Sequence, residues 1–249
     1  MKVHEFGDPK GVPVVFFMGT PQKGDSGHEF SDLASRFGIR LICPTRPWYD
    51  DLELTPSFAE CSEKTTSYLN SQDISNCHVI GGSGGGPFAL HFSTKNTNVV
   101  RSCYLLASMG TPDIFVETVK SPPTLQLLEL FKNNNYSSTM EYLTSLGLPQ
   151  DLAHGAWSDF KVLLGSWESI NFQNAPMVYI HHGEEDENAP IESIRDLAKK
   201  LPRSEFRISF QASHAGLAED EELSEFTNIF KEIGGQRDAS ANKTLRDDV

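Results

Sequence analysis

The sequence is poor in cysteine, and the few cysteines it has stand far apart. Its 249 residues include 4 cysteines, which are Cys43, Cys61, Cys77 and Cys103. No two of them have the Cys-x-x-Cys spacing of a zinc or redox site. Three of them fall in apolar runs, so we expect buried free thiols in a reducing compartment, with neither disulfides nor a zinc site.

Basic residues and long apolar runs are also scarce. Lys and Arg number 21 against 34 Asp and Glu, and the net charge of −13 repels the phosphates of nucleic acids and anionic lipids. The longest apolar run, residues 14–18, is much shorter than the roughly 18 residues that a membrane helix needs. The first residues lack the apolar core of a signal peptide. These absences predict a cytoplasmic protein that binds neither nucleic acid nor membrane, and nothing in the sequence indicates its oligomeric state.

Short apolar or β-branched runs alternate with helical stretches along the chain. The predicted strands lie at 2–6, 13–18, 40–43, 77–80, 99–107, 177–182 and 206–210. The predicted helices lie at 28–37, 58–69, 84–93, 190–201 and 221–233. Most of the strands are apolar throughout, which is typical of strands covered on both faces. The pattern predicts an α/β fold with an open, doubly wound, mostly parallel sheet of about six to seven strands.

Residues 110–170 interrupt this alternation, because they contain helical segments and no convincing strand. The insertion either adds bulk alone or covers a site. Long insertions in α/β folds usually enter at the carboxyl edge of the sheet, where ligands bind. We therefore expect a helical cap at about 110–170 within a single domain of residues 1–235. The polar residues 236–249 are expected to form a disordered tail.

A glycine-rich turn is the strongest local signal for chemistry. Gly81-Gly82-Ser83-Gly84-Gly85 has the pattern Gly-x-Ser-x-Gly, and it follows a predicted strand and opens a predicted helix. Such a turn holds a serine in a strained conformation with its hydroxyl above the sheet, and glycines let the strand and the helix approach each other. The N–H of Gly84 then lies at a helix N-terminus, where it can stabilise an oxyanion. This context makes Ser83 a candidate nucleophile.

The same segment has two other interpretations. It is either a simple loop or, over residues 84–89, a loose dinucleotide-binding pattern. The dinucleotide pattern requires an acidic residue at the end of the next strand, about 20 positions later. The next predicted strand ends at residues 104–108 without one.

A serine nucleophile needs a base, and the base needs a carboxylate that orients it. His214 follows the last predicted strand, and Asp186 follows the predicted strand at 177–182. Both lie at the carboxyl ends of strands, on the edge that carries Ser83. The chain order serine, acid, histidine is the order expected with this type of turn. The sequence therefore predicts a catalytic triad of Ser83, Asp186 and His214.

Four segments resemble the α/β-hydrolase superfamily, and the resemblance covers essentially residues 2–235. They are residues 14–21, 81–85, 183–190 and 213–216. The resemblance implies a carboxylesterase-like serine hydrolase that needs no cofactor or metal and acts on a small-molecule acyl substrate.

The resemblance also implies an oxyanion hole and shows where this chain departs from the family. Thr20 occupies the position that lends its N–H to the hole, beside Gly84. Met18 replaces the usual histidine of a His-Gly pair, and an unusual loop at 43–51 replaces the segment that shapes the site entrance. Pocket shape and substrate are therefore not carried over.

Several alternatives stay open. Some members of the family place the acid one strand earlier, where this chain has Asp113, and Asp186 itself stands among Glu184, Glu185 and Glu187. The same triad also serves carbon–carbon bond hydrolases, peptidases and acyltransferases, and the same fold can hold a small ligand without turnover. Five aromatic residues are candidates for a pocket under the cap, although we expect at least half of them to pack in the core instead. They are Trp48, Tyr49, Trp157, Phe160 and Trp167.

Overall fold

The computed structural model of the protein describes residues 1–214 and 225–244. Seven strands form one sheet within these residues, in the order β1-β3-β2-β4-β5-β6-β7. The strands are β1 (Val3–Gly7), β2 (Val12–Phe17), β3 (Ile39–Pro44), β4 (Cys77–Gly82), β5 (Val100–Leu106), β6 (Met177–Gly183) and β7 (Ser204–Ser209). Only β1 pairs antiparallel with its neighbour among these strands; the other pairs are parallel. The predicted open, mostly parallel sheet is confirmed.

The central strands are apolar throughout because helices cover both faces of the sheet. Successive residues of β2 point to opposite sides, so Val15 packs into one hydrophobic cluster and Phe16 into the other. Val14 and Val15 are both fully buried. The end of β7 differs from the prediction, since Phe210 lies beyond the strand and is 76% exposed.

Nine helices are present in the described residues. They are α1 (Ser31–Arg36), α2 (Phe58–Ser71), α3 (Gly86–Lys95), α4 (Pro112–Thr118), α5 (Pro122–Lys132), α6 (Tyr136–Ser145), α7 (Gln150–Leu163), α8 (Ile191–Lys200) and α9 (Glu225–Thr244). A 3-10 helix, Gly24–Phe30, precedes α1 and includes the start of the predicted helix 28–37.

The last helix is longer than the sequence indicates. It buries Phe226, Ile229, Phe230 and Ile233 against one face of the sheet. It then continues to Thr244, so residues 236–244 are helical where a disordered tail was predicted. Five of the nine residues in that stretch favour a helix once a packed segment has nucleated it, namely Gln236, Arg237, Ala239, Ala241 and Lys243. Residues 221–224 of the predicted helix and 245–249 of the predicted tail lie outside the described residues.

Helices α4 to α7 occupy the interval between β5 and β6 where the sequence predicts a helical insertion. Proline stands in the first turn of α4 and of α5, where a missing N–H costs no helical hydrogen bond. Because the strands are parallel, the insertion and the loops after β2, β4, β6 and β7 all lie at one edge of the sheet. The predicted site residues therefore share that edge.

Candidate active site

Ser83 lies at a sharp turn between β4 and α3. The strand ends at Gly82, a short 3-10 helix covers Ser83–Gly85, and α3 follows at once. The φ angle of Ser83 is +50°, in the left-handed region that side-chain-bearing residues rarely adopt. A Cβ added to Gly85 would lie 2.1 Å from the carbonyl oxygen of Phe17, so only glycine fits there. The turn has the context that the sequence predicts.

His214 and Asp186 complete a hydrogen-bonded chain with Ser83. The imidazole Nε2 lies 3.0 Å from the Ser83 hydroxyl oxygen, and Nδ1 lies 2.7 Å from Oδ2 of Asp186. The Asp186 side chain is fully buried, and that of His214 is 25% exposed. When Nδ1–H donates to the carboxylate, Nε2 is left as an acceptor facing the serine hydroxyl.

The turn after β6 selects Asp186 from its acidic neighbours. Oδ1 of Asp186 accepts hydrogen bonds from the N–H groups of Asn188 and Ala189, at 2.9 and 2.8 Å. Glu184, Glu185 and Glu187 are exposed instead.

The alternative acid lies elsewhere. Asp113 is an exposed residue in the first turn of α4, and in the described structure it makes no hydrogen bond to His214. The geometry therefore favours Asp186 over Asp113 as the partner of the imidazole.

A buried histidine supports this turn. Nε2–H of His182 donates to the carbonyl of Ala189 over 2.6 Å, and burial lowers the pKa of the imidazole, which favours its neutral form. This hydrogen bond from His182 restrains the end of the turn that carries Asp186.

Thr20 and Gly84 lie close together beside the serine. A Cβ added to Gly84 would come within 2.5 Å of Oγ1 of Thr20, and one added to Gly19 would lie 3.3 Å from Cβ of Ser83. None of the described residues accepts a hydrogen bond from the N–H of Thr20. Gly84 begins a helical turn, where the first N–H groups have no helical acceptor. Thr20 and Gly84 therefore both adjoin Ser83, where the sequence predicts the two donors of an oxyanion hole.

Solved structures share this architecture at low sequence identity. The esterase EaEST from Exiguobacterium antarcticum aligns with a TM-score of 0.73 and 15% identity, over 94% of this chain and 94% of that chain. A meta-cleavage product hydrolase from Pseudomonas fluorescens IP01 aligns with a TM-score of 0.68 and 17% identity, over 95% and 94%. An alpha/beta hydrolase fold protein from Nakamurella multipartita aligns with a TM-score of 0.65 and 16% identity, over 94% and 95%.

The chain has the α/β-hydrolase fold. No protein-family model matches it, and no curated protein matches its sequence. In the α/β-hydrolase fold of this chain, parallel strands bring the loops that carry Ser83, Asp186 and His214 to one edge, although the three residues are widely separated in sequence.

An apolar cavity of about 290 Å³ lies over Ser83. Helices α4 to α7 supply most of its wall, and Ser83, Thr20 and His214 form its floor. Its apolar wall includes Met109, Phe115, Leu127, Leu143, Phe160 and Leu163. The hydroxyl of Ser83 therefore faces a space that favours an uncharged, apolar group.

The aromatic residues proposed for the pocket are mostly structural. Phe160 lines the cavity, as predicted. Trp157 packs on Phe131 and Tyr136, and Trp167 packs edge-on against Phe58. Trp48 and Tyr49 are buried beneath the insertion, so four of the five residues pack in the interior, in line with the expectation that at least half of them would. Composition cannot separate an aromatic side chain that packs in the core from one that lines a cavity.

A buried ion pair beside the site was not predicted. Arg46 and Asp159 form it at 2.6 Å, with side chains that are 1% and 0% exposed. The sequence singles out the loop at 43–51 as unusual, but no local pattern connects Arg46 with an aspartate 113 residues later in an insertion helix.

The cysteines take no part in the site. All 4 are buried and free, as expected. Burial raises the pKa of the Cys61, Cys77 and Cys103 thiols to about 12, so they carry little thiolate at neutral pH. Within the described ranges, no three His, Cys, Asp or Glu side chains are grouped as a metal site would require. In the same ranges, no helix combines the length and apolarity required to cross a membrane.

Proposed function

We propose that the protein is a serine hydrolase that cleaves an ester or a related acyl bond through Ser83, His214 and Asp186. The observation that carries the proposal is the unbroken chain of hydrogen bonds, 3.0 Å from Ser83 to His214 and 2.7 Å from His214 to Asp186. A serine hydroxyl is a weak nucleophile until a base within hydrogen-bonding distance accepts its proton. The imidazole of His214 lies within that distance of Ser83, and its contact with the buried Asp186 carboxylate supports a role as the base.

The proposed reaction has two stages. In the first, Oγ of Ser83 attacks the carbonyl carbon of the substrate while Nε2 of His214 takes the hydroxyl proton. Asp186 stabilises the imidazolium, and the N–H groups of Thr20 and Gly84 stabilise the oxyanion. The tetrahedral intermediate then collapses, and His214 returns the proton to the departing alcohol.

In the second stage, His214 takes a proton from water, and the hydroxide oxygen attacks the acyl carbon of the acyl-enzyme. The bond to Oγ then breaks, Ser83 regains its proton from His214, and the carboxylic acid is released. Every proton moves through His214, so the proposed cycle uses no cofactor.

The cavity supports a small-molecule substrate with an apolar acyl group. Its volume of about 290 Å³ suits a short or medium acyl chain, and its wall is mainly aliphatic and aromatic. A charged acyl group would lose its hydration there without a compensating partner. We further propose that helices α4 to α7 act as a cap that shields the acyl-enzyme from bulk water.

The experiment that tests the proposal is active-site labelling. A fluorophosphonate probe should form one adduct, on Ser83, which peptide mapping will locate. Ser83→Ala and His214→Ala should each lower the turnover of p-nitrophenyl esters by roughly 10⁴–10⁶, because the two residues act as a unit. An adduct on another serine, or a His214→Ala variant that keeps more than about a tenth of the activity, would refute the assignment.

A further inference from the structure

The buried ion pair is the centre of a polar network that no part of the proposed triad uses. The Asp159 carboxylate accepts two hydrogen bonds from Arg46, at 2.7 and 2.6 Å. It also accepts hydrogen bonds from Nε1 of Trp48 at 2.9 Å, from the hydroxyl of Tyr49 at 2.6 Å and from Oγ1 of Thr20 at 2.7 Å. Two of these five hydrogen bonds reach Oδ1 and three reach Oδ2, so no acceptor position of the carboxylate, which offers about four, is left without a donor.

We propose that Arg46 and Asp159 are positioning residues that orient the oxyanion hole. The proposal rests on the function proposed above, in which Thr20 supplies one of the two N–H donors.

The remaining donors of Arg46 fix the backbone that carries this N–H. Nη1 donates to the carbonyl of Met18 over 2.6 Å. Nη2, which also donates to Asp159, lies 3.0 Å from the carbonyl oxygen of Gly19 and 3.1 Å from the Tyr49 hydroxyl oxygen, so the two oxygens share its other N–H. In a trans peptide the C=O of one residue and the N–H of the next point in opposite directions. Because the Gly19 carbonyl points at the guanidinium, the N–H of Thr20 points away from it.

The hydroxyl of Thr20 supplies a second restraint on the same residue. Its bond to Asp159 limits rotation of the backbone about the Gly19–Thr20 peptide. Burial and the adjacent carboxylate raise the pKa of Tyr49, which keeps its hydroxyl protonated as a donor to Asp159. Arg46 therefore restrains the peptide that precedes Thr20, and Asp159 restrains the Thr20 side chain.

A contribution to stability does not explain such a pair. Two charges lose their hydration on burial, and well-packed apolar residues often stabilise a core at least as well. A planar, bidentate ion pair fixes the orientation of the groups that it contacts, which apolar packing does less well. Fixed N–H dipoles aimed at the developing charge are the part of an oxyanion hole that accelerates a reaction.

Helix α7 connects this network with the substrate cavity. Ala156, Phe160 and Leu163 lie on one side of the helix and line the cavity. Gly155 and Asp159 lie on the adjacent side and face the loop after β3. A substrate that packs against α7 therefore contacts the helix that also holds Thr20.

The test compares variants that remove single bonds of the network. Thr20→Val deletes the hydroxyl and keeps the N–H, while Thr20→Ser retains both. We expect Thr20→Val to lower kcat on p-nitrophenyl esters about tenfold and Asp159→Asn to lower it by roughly 10²–10³. KM should change less than about threefold, and Thr20→Ser should restore most of kcat. Affinity for a trifluoromethyl ketone, which forms an oxyanion adduct on serine, should fall in parallel with kcat/KM.

A matched control distinguishes a positioning effect on Thr20 from the effect of losing any threonine–aspartate hydrogen bond. Thr111 donates to Asp196 over 2.9 Å, and neither residue lines the cavity over Ser83. Thr111→Val should leave kcat unchanged. If Asp159→Asn fails to fold, Thr20→Val alone tests the positioning role, because this variant removes one hydrogen bond and leaves the ion pair intact.

Two different failures can be told apart. Wild-type kcat in Thr20→Val, together with an inactive Ser83→Ala, would refute the positioning role and leave the proposed function standing. Full activity in Ser83→Ala would refute the proposed function itself.

Discussion

Gly155 is the position at which the docking of helix α7 can be tested most directly. It stands in the middle of the helix, where glycine costs about 1 kcal/mol relative to alanine. A Cβ added to it would lie 2.2 Å from Cε1 of Tyr49. Tyr49 is 1% exposed and its hydroxyl is bonded to Asp159, so the ring has no free space to enter. Gly155→Ala should therefore push the helix away from the loop after β3.

The size of the effect follows from these distances. Carbon atoms in contact normally lie about 3.5–4.0 Å apart, so the helix and the ring would have to separate by roughly 1.3 Å or more. Asp159 lies one turn further along α7, and the same displacement would stretch its bonds to Arg46 and Thr20, both 2.7 Å long, beyond the limit of a hydrogen bond. Overpacking of this kind costs about 1–3 kcal/mol. Since alanine recovers about 1 kcal/mol of helix propensity, we expect a net loss of up to roughly 2 kcal/mol in the free energy of unfolding.

The assay pairs urea unfolding with ester hydrolysis. Gly155→Ala should also lower kcat/KM about 10–100-fold, because small displacements of oriented groups carry large rate penalties. Gly235→Ala is the matched control: it lies in α9, and its added Cβ has no atom within 4 Å. That variant should be as stable as the wild type or more stable by up to about 1 kcal/mol, with normal kinetics. Identical stability and kinetics for Gly155→Ala and the wild type would show that the close approach of α7 to Tyr49 has no role in either property.

Three further predictions concern other parts of the molecule. Asp186→Asn should lower kcat roughly 10²–10⁴-fold, because the amide favours the wrong imidazole tautomer, while Asp113→Asn should behave like the wild type; the opposite result would place the acid on the earlier strand. Burial lowers the pKa of His78 and of His91 from 6.5 to about 4, so the unfolded chain binds protons in this window that the folded chain does not. The free energy of unfolding should therefore fall as pH decreases from about 6.5 to about 4, and urea titrations should show a shallower decline in the double variant His78→Asn/His91→Asn. Leu127→Trp should narrow the cavity and move the preference among p-nitrophenyl esters towards shorter acyl chains; an unchanged preference would place the acyl group outside this cavity.

The sheet and the turn at Ser83 could be predicted because their signals are local. A strand covered on both faces must be apolar at nearly every position, as at Val14 and Val15 in β2. The turn at Ser83 requires glycines at fixed offsets, because a Cβ at Gly85 would collide with the backbone of β2. Such steric requirements restrict the residue types at positions that lie within a few residues of one another, so a short stretch of sequence shows them.

The choice of Asp186 among four neighbouring acidic residues depends on an exact register, which makes it harder to predict than the sheet. The spacing from Gly183 favoured it, and the structure shows why the register matters. A Cβ on Gly183 would lie 2.2 Å from the carbonyl oxygen of Ala212, so the turn after β6 packs directly against the segment that leads to His214. Three residues later, Asp186 points inward to the imidazole, while its acidic neighbours point to solvent.

The roles of Arg46 and Asp159 illustrate what local pattern cannot reveal. A lone arginine in a loop and a lone aspartate in an amphipathic helix are common on protein surfaces, and 113 residues separate these two. Only the packing of α7 over the loop after β3 removes both from water and makes each the partner of the other. Steric and periodic constraints act between neighbours in sequence, so the strands and the turn at Ser83 could be deduced from the sequence. Burial and charge pairing act between neighbours in space, so the docking of the insertion, the shape of the cavity and the network that holds Thr20 were decided by the tertiary fold.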